Sequence, residues 1–176
     1  MPRVRFETMH ALDPSYPAAS FDTASIANSL HHFPSAPAVL ACMRRLVRTG
    51  GALIVSEMYR DHQTPAQVTH VQLHHWCAEV DRLAGIVHRR TYRRAQLASL
   101  LVQLALKGSR VVDVSETFED PKEPATVDVL GGVIDRYLER ATGHAELQAR
   151  GEAVRRRLHA VGAHGASTLL AVGRKP

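Results

Sequence analysis

The sequence predicts an α/β fold on a mostly parallel sheet, in a single domain over residues 1–176. Three observations predict it. Short apolar, β-branched runs alternate along the chain with longer stretches of helical periodicity. The run Ala52-Leu53-Ile54-Val55-Ser56 is continuous, as a strand buried on both faces would be. The 176 residues, 45% hydrophobic and 22% charged, are enough to bury a sizeable core.

The elements follow in order. Val4, Phe6 and Thr8 alternate with Arg5 and Glu7, which predicts a short first strand. Pro14 and Pro17 end it, because neither can donate to a ladder. Residues 21–28 read as a second strand. Ser35 is an N-cap for a helix with Val39, Leu40, Met43, Leu46 and Val47 inward and Arg44, Arg45 and Arg48 outward. Thr49-Gly50-Gly51 stops that helix before the strand at residues 52–56. Pro65 suits a first helical position, and Leu73, Trp76, Cys77, Val80, Leu83, Ala84 and Val87 form the stripe of a long helix. A further helix covers residues 93–106, and Gly108 ends it. Val111, Val112 and Val114 start another strand. Two helices follow, carrying Leu130, Val133, Ile134, Tyr137 and Leu138, then Leu147, Val154, Leu158 and Val161. Residues 167–172 close the chain as a strand. The helices between residues 63 and 107 read as an insert within the one domain.

Composition narrows the partners. The net charge is +5, from 22 Lys and Arg against 17 Asp and Glu, and aromatics are 5%. That balance suits a small anionic ligand, and it offers no stacking platform for nucleic acid. Cys42 and Cys77 form no CxxC pair, which points to a reducing, cytoplasmic setting. No apolar stretch is long enough to span a bilayer, so no membrane partner is expected.

In open α/β sheets, ligands bind beyond the carboxyl ends of the strands. Three clusters fall there: Met9-His10-Ala11-Leu12, Asn28-Ser29-Leu30-His31-His32, and Glu57 through His62. His70, His74 and Cys77 also share one helical face, with Asp81 a turn further on. That spacing could hold zinc, but Cys77 also belongs to the apolar stripe, and the set is read as packing with no metal site. The run 88–94, with five basic residues around Thr91 and Tyr92, is read as a solvated turn.

The segment Phe21-Asp22-Thr23 through Ile26-Ala27-Asn28-Ser29-Leu30-His31-His32-Phe33, the helix of residues 38–48, Thr49-Gly50-Gly51 and the strand of residues 52–57 together resemble class I S-adenosylmethionine-dependent methyltransferases. They match that family's fourth strand, the helix after it, the glycine turn and the fifth strand. The likeness is greatest to the small-molecule branch typified by the ubiquinone and menaquinone C-methyltransferases.

The resemblance implies a Rossmann-like fold, S-adenosylmethionine as cofactor and methyl transfer to a small-molecule substrate. It implies cofactor contacts from His10, Ala11, Leu12, Asn28 and Ser29. His31 and His32 become the candidate catalytic bases, and Tyr59, His62, His74 and Trp76 the acceptor-lining residues. The chain departs from the family in two ways. None of its 11 glycines forms a G-x-G turn, and His10 stands where an acidic residue is common. The expectation is an N-terminally truncated version of the fold, beginning at the family's third strand. Open strand edges would then invite self-association. A binding or scaffold module without catalysis, and a helix-borne metal-binding protein, are the alternatives.

Overall fold

The computed structural model describes residues 4–115 and 120–176.

Four strands form one sheet: β1 (Phe21–Ala27), β2 (Val47–Met58), β3 (Lys107–Val114) and β4 (Thr168–Arg174), in the order β1-β2-β4-β3. β1 and β2 are parallel, while β4 runs antiparallel to both β2 and β3. β1, β2 and β3 therefore share one direction and β4 opposes them, giving a mixed sheet.

Five helices connect the strands: α1 (Ala36–Leu46), α2 (Pro65–Leu83), α3 (Arg94–Val102), α4 (Pro124–Arg140) and α5 (Ala145–Val161). Ser35 caps α1, its Oγ accepting from the Ala38 N–H at 3.3 Å. At the start of α2, Thr64 Oγ1 accepts from the Gln67 N–H and Gln67 Oε1 accepts from the Thr64 N–H, a reciprocal cap. α2 ends at Leu83, short of the expected Val87, where Gly85 takes φ +73° and turns the chain back.

Two apolar cores result. In the first, Leu40, Met43, Leu97 and Leu101 from α1 and α3 cover Leu53, Val55 and Leu169 on one face of the sheet. In the second, Leu73, Trp76 and Val80 of α2 pack with Ile134 of α4 and Val154 and Leu158 of α5. Met58, Val71 and Ala166 form a third, smaller cluster. The helices between residues 63 and 107 thus part company: α3 lies on the sheet, and α2 joins α4 and α5.

Two strand expectations need correction. Residues 4–9 form no strand; Val4 and Phe6 are 74% and 95% exposed. A strand needs a ladder partner or a buried face, and this segment has neither. Nor is β2 buried on both faces. Leu53 and Val55 are buried, whereas Ala52, Ile54 and Ser56 on the opposite face stay half-exposed.

Candidate active site at the carboxyl ends of β1 and β2

Asn28 follows β1 directly and adopts φ +44°, a conformation asparagine tolerates better than most residues. Its N–H donates to the Ser56 carbonyl at 2.8 Å, holding the ends of the two parallel strands together. Asn28, Ser56, Met58, His70, Ala166 and Thr168 line a cavity of about 320 Å³ there. Ser29 Oγ turns back to the Ala27 carbonyl at 2.7 Å and closes the turn. A single 3-10 turn, Leu30–His32, follows, and Pro34 and Ser35 lead into α1.

That turn carries His31 into the interior, where it is 1% exposed. Glu57, next to last in β2 and also 1% exposed, receives it. Glu57 Oε2 accepts from the Leu30 N–H at 2.6 Å, and Oε1 lies 2.7 Å from His31 Nδ1. A carboxylate only accepts, so His31 Nδ1 donates to it, and in the neutral tautomer the ring's lone pair lies on Nε2. That Nε2 is buried and has no partner among the described residues.

A second carboxylate–imidazole pair faces the first. After the turn at Gly85, His88 Nδ1 approaches Asp81 Oδ2 of α2 at 2.6 Å. Arg140 and Tyr137 of α4 also donate to Asp81, at 2.6 and 3.1 Å. Burial would raise the Asp81 pKa, but the hydrogen bonds from His88, Arg140 and Tyr137 outweigh it and hold the carboxyl below its usual range. His88 Nε2 lies 3.3 Å from His74 Nε2. Burial, reinforced by the neighbouring imidazoles of His31 and His88, pushes His74 down to about 2. His74 is therefore a neutral ring.

His32, the exposed member of the turn, packs against His88 with ring centres 4.1 Å apart and the planes tilted by 40°. Burial and the same neighbours lower its pKa. His75, next to His74 on α2, is turned elsewhere. Its Nε2 accepts from the Thr91 N–H at 3.2 Å, and burial pushes it down to about 4.

The other sequence candidates scatter. His10, Ala11 and Leu12 lie in the exposed segment before β1. His62 is exposed beside Asp61. Tyr59 is buried and bridges to Tyr92. Trp76 is 1% exposed in the helical core, its Nε1–H donating to the Leu147 carbonyl at 2.8 Å. The helical triplet also separates, because His70 Nδ1 accepts from the Ala166 N–H at 2.9 Å while Cys77 packs in the core. Glu57, Asp81 and His88 carry no assigned role in the sequence reading: Glu57 stands only in a rim cluster, Asp81 beside the helical triplet and His88 in the basic run. A lone glutamate at the end of an apolar strand is the signal that marks Glu57, since a buried charge needs a partner.

The family described as "Methyltransferase domain" matches residues 2–111. No curated protein sequence matches the chain. Among solved structures, a Bacillus halodurans protein provisionally described as a methyltransferase is 11% identical, with a TM-score of 0.54, over 96% of this chain and 70% of its own. The [4+2]-cyclase SpnF is 19% identical, with a TM-score of 0.57, over 99% of this chain and 56% of its own. A phosphoethanolamine N-methyltransferase of Haemonchus contortus, solved with S-adenosyl-L-methionine, is 10% identical, with a TM-score of 0.51, over 95% of this chain and 36% of its own. At such identities these neighbours share the fold. The sequence match covers more than half of the chain and takes in β1, the Asn28 turn and β2 with Glu57: the chain belongs to the methyltransferase-domain family.

Proposed function

We infer that this chain serves S-adenosylmethionine-dependent methyl transfer to a small-molecule acceptor. The observation that carries the reading is the paired carboxyl ends of β1 and β2 within the family-matched segment, with Asn28 and Ser56 opening onto a cavity between sheet and α2. Open α/β sheets hold their ligands at this position. The Haemonchus neighbour's bound cofactor supports the choice of cofactor.

The residues present fit part of that cofactor. The Asn28 amide can both donate and accept, as a polar ligand edge requires. No glycine-rich turn follows any strand among the described residues; Gly50 and Gly51 lie within β2 near its start, at the opposite end from Glu57. The chain therefore supplies a rim and not a full cradle. When bound, the cofactor supplies an electrophilic methyl group. The chain's own part is to orient ligands at the rim and to exclude water with α2.

The test is a titration of the full chain with S-adenosylmethionine, followed by amide NMR shifts. Weak binding is expected, in about the millimolar to high micromolar range. Shifts should concentrate at Asn28 and Ser56 and spare α5. Asn28→Ala should weaken binding roughly tenfold, the worth of one hydrogen bond, and Arg156→Ala should leave it unchanged. Absence of shifts at Asn28 and Ser56, or equal effects of the two substitutions, would overturn the reading.

A further inference from the structure

We propose that His31, His32, His74 and His88 form a binding site for one divalent transition-metal ion of the zinc class. One ring nitrogen from each of the four lies within 4.8 Å of every other. They come from three separate segments: the turn after β1, helix α2, and the loop between α2 and α3.

Four features carry the assignment. The first is orientation. Glu57 fixes the His31 Nδ1–H and Asp81 fixes the His88 Nδ1–H, at 2.7 and 2.6 Å. Each carboxylate therefore turns the Nε2 lone pair of its ring inward. This is the arrangement in which a carboxylate behind a histidine fixes its tautomer and raises its basicity toward a metal.

The second feature is the pair of orphaned atoms. His31 Nε2 and His74 Nδ1 are buried without a hydrogen-bond partner among the described residues. Leaving a buried polar atom unmade is costly, and such atoms call for an explanation. A cation at the centre of the cluster gives His31 Nε2 a partner directly.

The third is spacing. Zinc–nitrogen bonds of 2.0–2.1 Å place tetrahedral ligand atoms about 3.3 Å apart. The Nε2 atoms of His74 and His88 already stand at 3.3 Å. Two neutral imidazoles at that distance share one proton in a hydrogen bond; two lone pairs at that distance can share an ion. Elsewhere in the cluster the widest pair, at 4.8 Å, must close by about 1.5 Å, within the reach of a side-chain rotation.

The fourth is charge and ligand type. Imidazole suits zinc, copper and nickel, whereas magnesium and calcium prefer oxygen ligands. Four neutral rings add no charge, and Glu57 and Asp81 behind them offset the two charges of the ion. His75 is excluded from the set because its Nε2 already accepts from Thr91.

The site assigns His31 and His32 to metal binding in place of proton transfer. It also fastens α2 and the loop after it to the sheet, which makes it a clamp between the two cores. It rests on ligand geometry and is independent of the methyl-transfer reading, which is tested with S-adenosylmethionine.

The experiment uses the full chain, purified without a histidine tag, stripped with a chelator and titrated with Zn²⁺ and with Co²⁺. One equivalent of zinc should bind and raise Tm. Cobalt should produce the intense visible absorption of a tetrahedral site, and Mg²⁺ and Ca²⁺ should do neither. Glu57→Gln should weaken zinc binding about 10–100-fold, and His31→Ala with His88→Ala should abolish it. His70→Ala, which lies outside the cluster, should leave the stoichiometry intact. Substoichiometric zinc with no cobalt band in the unmodified chain would overturn the proposal, as would binding that survives the double substitution. If the double variant fails to fold, the cobalt spectrum of the unmodified chain decides the matter alone.

Discussion

Gly151 sits on α5 where that helix crosses Trp76 of α2. A Cβ built there would lie 2.4 Å from Trp76 Cζ2 and 2.6 Å from Leu138 Cδ2. Ordinary carbon contacts begin near 3.5 Å, so the indole must retreat by about 1 Å. It has little room to do so, being 1% exposed and tied through Nε1–H to the Leu147 carbonyl at 2.8 Å. Gly151→Ala gains about 1 kcal/mol of helix propensity. Overpacking of this kind costs about 1–3 kcal/mol, and here the clash is double, so the upper half of that range applies. The net expectation is a loss of about 1–2 kcal/mol, or roughly 2–8 °C in Tm.

Gly132 on α4 provides the matched control. Its added Cβ would meet nothing closer than Arg136 Nη1 at 3.8 Å. Gly132→Ala should therefore stabilise by about 0.5–1 kcal/mol, through propensity alone. Urea unfolding followed by fluorescence reads both variants, since the chain has 1 tryptophan and it is the residue in question. Gly151→Ala at or above parental stability would refute the packing argument, as would a Gly132→Ala that is the worse of the two.

Two further outcomes are expected. Arg150 of α5 grips Glu79 of α2 through two hydrogen bonds, and these, working against a smaller effect of burial, hold the Glu79 pKa below its usual value. A depressed carboxylate contributes stability above the ordinary value of about 4.3 and loses it as pH falls through the folded value. Glu79→Gln should therefore cost about 1 kcal/mol at neutral pH and flatten the acid side of the Tm–pH curve; an unchanged acid limb in thermal scans would count against the pair. All eight residues of β3 are exposed, with Val111 and Val112 at 46% and 49%, and its outer edge pairs with no described strand, so the chain should self-associate with concentration. Val112→Lys should reduce that association in sedimentation runs, and an unmodified chain that stays monomeric throughout would refute it.

Most of the fold was legible because its signals are local. Ser35 and the Thr64-Pro65 start of α2 punctuate the chain, and the helices and four strands lie within a few residues of where periodicity puts them; Thr49-Gly50-Gly51, expected as a turn, instead lies inside β2, which follows α1 directly. What failed depends on neighbours. Alternation over residues 4–9 says that a strand would have two faces, but nothing in it says whether a partner edge is there to accept one. The run at residues 52–56 shows that both faces of β2 tolerate burial. Whether both are covered depends on which helices pack on each face, and α1 and α3 cover the face of Leu53 and Val55.

The site was harder, for a geometric reason. Helical spacing finds residues that share one element, so it picked out His70, His74 and Cys77, of which only His74 belongs to the imidazole cluster. A cluster between layers draws its members from several elements, and their convergence is set by where those elements cross. What the sequence does carry is the cost of each buried charge. Glu57 closes an apolar strand and Asp81 lies among Cys77, Val80 and the turn at Gly85, so each had to find a donor. His31 and His88 are those donors. Once two carboxylates hold two imidazoles by the same nitrogen, their other nitrogens are free to point at a common centre. The cluster thus follows from satisfying two charges in the interior, and its openness to a cation is a consequence of that pairing.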